Sequence, residues 1–242
     1  MINQPLSVCL SGGAARGAFT LGVLDILEKE NINIQRYSGS SIGGIIAASH
    51  ASGVSAKEQL KIFKSKALQE TIKFNYFRFG VFYLDTEHSV LNDLLPIKYI
   101  ENLEKKVFIS TYDMKNKQLN YHDHGDAKQL CAATSALIPL FKPITTPTQK
   151  LIDGGLVDNL PIKPLLDFED EILSINLIHP KKTNIRKKWF NKIEANLSLS
   201  SHVIGSKELK NYSMWTFKDL DDLFLLGQKQ ASKYLENVIC CA

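Results

Sequence analysis

Residues 37–50 read YSGSSIGGIIAASH, three serines crowded among glycines and followed by an apolar run. One of the three has glycine two positions before it and two after: Gly39, Ser40, Ser41, Ile42 and Gly43 spell G-x-S-x-G. A serine on a sharp strand-to-helix turn needs small neighbours, because the backbone there is strained and the hydroxyl must stay exposed. So placed, it can attack a carbonyl once a base takes its proton. At a helix N-terminus Ser41 would also sit where the macrodipole favours developing negative charge. Glycine-serine turns are common, so it is the setting between a strand and an apolar helix that turns the pattern toward chemistry.

Two further stretches have chemical spacing. SGGAARGAF at 11–19 is a glycine loop entering a helix, which turns free backbone N–H groups toward one point and suits a phosphate or an oxyanion. A dinucleotide loop would need glycine where Ala14 stands, and a P-loop would need G-K-[ST] after the glycines. Neither pattern is met, so the oxyanion reading leads. The last stretch is Asp153-Gly154-Gly155, between LI and LVDNLPIKP. A carboxylate at a strand end followed by two glycines is exposed on a tight turn that leaves room for another backbone, although an Asp-Gly turn alone has the same composition.

In this order the three stretches resemble the patatin-like phospholipase family of serine lipid acyl hydrolases, over roughly residues 6–180. The likeness extends to ATSALIPLFKPI at 133–144 and to DGGLVDNLPI. It implies a three-layer α/β/α sandwich around a central, mostly parallel sheet. It also implies one domain over 1–242, with the motif-bearing core at about 6–180 and a C-terminal helical extension at about 181–242. The glycine loop becomes an oxyanion loop of Gly12, Gly13, Ala14, Arg16 and Gly17, with the N–H groups around Gly13, Ala14 and Ile42 as donors. Ser41 becomes the nucleophile on an elbow formed with Gly39, Ile42 and Gly43. Asp153, followed by Gly154 and Gly155, becomes the base of a Ser-Asp dyad that forms and hydrolyses an acyl-enzyme. No cofactor is implied. Ala14 departs from the family's usual third glycine; it keeps its N–H, but a positive φ would cost about 1 kcal/mol.

Competing assignments exist for several residues. Arg16 can orient the loop, meet a phosphate head group, or stand as a surface charge at a helix start. His122 and His124 alternate as metal ligands on a strand do, but without further ligands a hairpin tip explains them more simply. The same dyad would serve an acyltransferase, and a silent lipid-binding scaffold would keep the fold; intact Ser41 and Asp153 argue against the scaffold.

Leu6–Leu10 fits a buried strand, residues 18–30 a helix, 32–37 a second strand and 45–53 a buried helix. Residues 57–70 and 91–104 fit helices, KVFIST and QLNYHD a strand pair, 127–138 a short helix and 172–178 another strand. Phe217, Leu220, Leu223, Phe224, Ala231, Tyr234 and Leu235 trace one face of a closing helix. The aromatics Phe74, Tyr76, Phe77, Phe79, Phe82 and Tyr83 fit core packing or the wall of an acyl-chain pocket.

With 44% apolar and 22% charged residues the composition is that of a globular protein. A net charge of +4 is too mild to argue for nucleic acid. Cys9, Cys131, Cys240 and Cys241 show neither metal spacing nor a disulfide framework, which points to reduced thiols in a cytoplasmic protein. The start MINQPLSVCLSGG lacks a basic region and a long apolar stretch, so a secretory signal is not expected. Lys181, Lys182, Arg186, Lys187, Lys188 and Lys192 gather around Trp189 and Phe190. Segment 181–192 is a candidate for peripheral contact with anionic lipid, or a solvated connector.

Overall fold

The computed structural model describes residues 5–74, 82–178 and 187–240. Strand β1 (Leu6–Leu10) is buried along its whole length. Its alternate residues Leu6, Val8 and Leu10 enter the larger core and Cys9 a smaller one, as a strand covered on both faces requires. A short 3-10 turn leads into α1 (Gly17–Lys29), then β2 (Ile34–Gly39) and α2 (Ile42–Ala51). The helix expected over 57–70 is broken into α3 (Ala56–Lys64) and a single turn, α4 (Lys66–Gln69). The break is local: Ser65 adopts extended backbone and its hydroxyl caps the Leu68 N–H.

Strands β3 (Ile72–Phe74) and β4 (Phe82–Leu84) pair antiparallel, apart from the main sheet. Helix α5 (Val90–Leu94) is far shorter than expected, because Pro96 cannot continue it. The hairpin of β5 (Lys106–Asp113) and β6 (Gln118–His122) follows, then α6 (Ala127–Thr134), β7 (Ile144–Thr145) and β8 (Lys150–Asp153). The chain continues through β9 (Glu171–Asn176), α7 (Lys187–Leu197), β10 (His202–Gly205) and α8 (Leu220–Cys240).

The sheet runs β10-β9-β1-β2-β5-β8-β7, parallel from β10 through β5 and antiparallel beyond, with β6 also on β5. Helices α1, α2, α3 and α8 share the larger core with one face. Leu160, Ile162 and Leu165, with Leu197 of α7 beside them, cover the other. This is the expected α/β architecture with a thin second outer layer. Within the segment expected to form a C-terminal helical extension, α7 and α8 are joined by β10, which adds to the sheet edge beside β9. At four residues β10 is too short to show a pattern. On α8, Leu220, Leu223, Phe224, Ala231 and Leu235 are buried as expected, whereas Phe217 precedes the helix and is exposed.

Candidate active site

Strand β2 ends at Gly39 and α2 begins at Ile42, so Ser40 and Ser41 form the turn between them. Ser41 has φ 52° and ψ −129°, a left-handed backbone that a serine keeps only where its surroundings over-determine it. Those surroundings are specific. The Ser41 N–H donates to Thr134 Oγ1 at 2.8 Å, and that hydroxyl donates to the Ser110 carbonyl at 2.7 Å. A Cβ on Gly43 would lie 2.4 Å from the Leu10 carbonyl oxygen, so α2 can enter this close to β1 only with glycine there. The neighbouring serines are already engaged: Ser38 Oγ donates to the Pro161 carbonyl at 2.6 Å and Ser40 Oγ to that of Asn159 at 2.7 Å. Ser41, unlike an ordinary N-cap serine, caps no helix amide with its hydroxyl and lines a cavity together with Asp153.

Asp153 ends β8 opposite Thr111 of β5 and is 4% exposed. Its Oδ1 accepts the Gly155 N–H at 2.7 Å, and it lines the same cavity as Ser41. Burial pushes the carboxyl up to about 7, against the opposing pull of the Gly155 N–H. A carboxylate near its ordinary value is a weak base toward serine, and this shift brings Asp153 close to neutral pH, where a base works best. A Cβ on Gly154 would meet Ser110 Oγ at 2.6 Å, which is why glycine follows the aspartate.

In the glycine loop the structure divides residues that the sequence grouped together. Gly12 N–H donates to the Asn159 carbonyl at 3.2 Å and Arg16 N–H to that of Gly13 at 3.1 Å, while Gly17 N–H turns back to Ala14 and Ala15. These three amides are engaged within the fold, as befits members of the loop that were not among its expected donors. The N–H groups of Gly13, Ala14 and Ile42 donate to no described residue, and all three residues line the cavity. Ala14 has φ 49°, in the left-handed region that favours glycine. The Arg16 guanidinium donates to the Tyr212 carbonyl from Nε (3.1 Å) and Nη2 (2.8 Å) and to that of Leu177 from Nη1 (3.2 Å). It therefore clamps the loop and is not a loose surface charge.

The cavity measures about 1770 Å³, above the roughly 300–1,000 Å³ of common small-molecule pockets. Its walls include Phe63, Leu91, Leu94, Leu137, Ile138 and Phe141. Of the aromatic run at 74–83, Phe82 lines the cavity and packs on Phe141 at 6.0 Å, while Tyr83 is exposed. Tyr76, Phe77, Phe79 and the side chain of Phe74 lie outside the described residues.

Among the described residues no histidine lines the cavity; His179 is outside them. His50 instead joins the buried Tyr37 to Glu28, at 2.6 and 2.7 Å, and His122 meets Thr111 Oγ1 at 2.7 Å. Lys181, Lys182, Arg186 and the side chains of Lys187 and Lys188 also lie outside the described residues. Trp189, within that basic cluster, faces the cavity. Its indole N–H donates to the Gly155 carbonyl at 2.8 Å and its ring lines the cavity.

A profile of the patatin-like phospholipase family matches residues 8–166. The chain belongs to that family. A lysophospholipase NTE1 of Meyerozyma guilliermondii is 27% identical over 67% of this chain and 12% of its own length, and one of Mycosarcoma maydis is 28% identical over 69% and 9%. This chain therefore spans about a tenth of those two relatives. An uncharacterised NTE family protein of Mycobacterium tuberculosis is 27% identical over 78% of this chain and 32% of its own length. Among solved structures, VipD from Legionella pneumophila aligns with a TM-score of 0.55 at 14% identity, over 97% of this chain and 67% of that one. ExoU of Pseudomonas aeruginosa, in complex with SpcU, gives 0.56 at 16% identity, over 97% and 52%. The two structures support the fold alone.

Proposed function

We propose that this patatin-like protein is a serine lipid acyl hydrolase of phospholipase A, lysophospholipase or carboxylesterase type, working through a Ser41-Asp153 dyad. The observation that carries the reading is that Ser41, whose hydroxyl caps no helix amide, and the buried Asp153 carboxylate line one apolar cavity. Asp153 takes the hydroxyl proton as Ser41 Oγ attacks the ester carbonyl. The oxyanion forms against the free N–H groups of Gly13, Ala14 and Ile42, each aligned donor contributing about 3 kcal/mol. Asp153 returns the proton to the leaving alkoxide, and then takes one from the water that releases the fatty acid. Esters are favoured over amides because an alkoxide leaves more readily than an amine. The wall suits a lipid with an anionic head: Lys128, Lys142 and Lys192 stand along it, and Asp153 is its one carboxylate among the described residues.

Contact with a lipid surface, proposed through segment 181–192, has a further candidate at the cavity wall. Leu156, Val157, Trp215 and Phe217 are exposed there. Among the described residues no helix is long and apolar enough to cross a membrane. The test is to incubate the protein with a lysophospholipid in water enriched in a heavy oxygen isotope and analyse the acyl product. Free fatty acid carrying one heavy oxygen is expected. Acyl groups found on an alcohol acceptor would assign transferase chemistry instead, and no acyl product at all would contradict both.

A further inference from the structure

Helix α7 carries the aromatic part of the basic segment, yet its inward face is bonded to the loop that follows Asp153. The Trp189 indole N–H donates to the Gly155 carbonyl at 2.8 Å. Two turns on, Asn196 Nδ2 donates to Asp158 Oδ1 at 2.8 Å and to the Leu160 carbonyl at 2.7 Å, and Lys192 Nζ lies 3.4 Å from Asp158 Oδ2. Asp158 also accepts the Tyr121 hydroxyl at 2.7 Å, which fixes it to β6. Loop 154–160 is thus held from one side by the sheet and from the other by α7.

Gly155 is the residue where this matters for chemistry. Its N–H orients Asp153 Oδ1 at 2.7 Å, and its carbonyl takes the Trp189 bond. Without a side chain, this residue has only its backbone groups to hold its orientation. We propose that Trp189 is a positioning residue for Asp153: by fixing the Gly155 carbonyl it fixes the Gly155 N–H that aims the carboxylate at Ser41. The inference rests on the Ser41-Asp153 reading above. It makes the seating of α7 a condition for turnover, although α7 brings no group to the reacting atoms.

The test is steady-state hydrolysis of p-nitrophenyl butyrate across pH 5–10, comparing wild type, Trp189→Phe, and protein carrying benzothienylalanine at 189, which replaces only the ring N–H by sulfur. Ser41→Ala runs alongside. Both replacements keep an aromatic wall and remove the donor. The expected result is a fall in kcat of about tenfold with KM changed less than about twofold. The acid limb of kcat/KM should also move to higher pH, because a poorly aimed Gly155 N–H stabilises the carboxylate less. Wild-type kcat and an unmoved limb in the benzothienyl protein would overturn the proposal, whether or not Trp189→Phe folds. A change confined to KM would likewise reduce Trp189 to a wall residue. Turnover surviving in Ser41→Ala would overturn the dyad instead, so the two failures are distinguishable.

Discussion

Thr134 Oγ1 accepts the Ser41 N–H at 2.8 Å and donates to the Ser110 carbonyl at 2.7 Å, so one hydroxyl joins the end of α6 to the Ser41 turn and to β5. This bond holds a serine in backbone geometry that it would otherwise leave. Thr134→Val keeps the shape and removes both bonds. It should lower stability by about 1–2 kcal/mol and kcat by about tenfold or more, whereas Thr134→Ser should keep both. Thermal unfolding with parallel ester kinetics checks this, and wild-type kinetics in the valine variant would show that the turn holds itself.

Asp153 predicts opposite pH trends for activity and stability. The carboxyl is raised by burial to about 7, so the base form grows as pH rises through neutrality and kcat/KM should climb to a plateau above that value. Between the ordinary carboxylate value near 4 and about 7, the folded protein binds a proton that the unfolded chain has released. Asp153's stabilising contribution is therefore complete below the lower value and is lost as pH rises through the upper one. Denaturant titrations should show wild type losing stability relative to Asp153→Asn between pH 4 and 8. A stability difference independent of pH would mean that the carboxylate is not shifted.

Ala14 tests how much the loop tolerates. Its left-handed φ of 49° costs an alanine about 1–2 kcal/mol, part of which glycine would give back as unfolded-state entropy. Ala14→Gly should raise stability by about 0.5 kcal/mol and keep kcat within about twofold, since the N–H stays in place. Ala14→Pro, which lacks that N–H and cannot adopt the φ, should lose activity by about a hundredfold or more. Kinetics of the two variants decide the matter, and an active proline variant would remove Ala14 from the oxyanion donors.

Much of this site was legible because its chemistry requires backbone room. Gly43 and Gly154 are glycines for contacts of 2.4 and 2.6 Å that any side chain would violate, and spacing alone exposes such positions. The buried strand β1 and the apolar face of α8 were also legible, the one as a short apolar run bounded by proline and glycines and the other because apolar residues repeat at the helical period. Residues that act through bonds across the fold left no local mark. Thr134 lies 93 positions from Ser41, and Trp189 lies 34 from Gly155; a threonine at a helix end and a tryptophan among lysines each have commoner explanations. Arg16 shows the same limit, because its partners at Leu177 and Tyr212 are brought to it only by the assembled sheet and the segment leading to α8.

The most direct measurement is intact mass and peptide mapping after exposure to a fluorophosphonate, with the rate of adduct formation followed in wild type, Ser41→Ala and Asp153→Asn. The account predicts a single adduct on Ser41 in the wild type, none in Ser41→Ala, and a rate at least about a hundredfold lower in Asp153→Asn. An adduct that persists in Ser41→Ala, or an Asp153→Asn protein labelled at the wild-type rate, would contradict it.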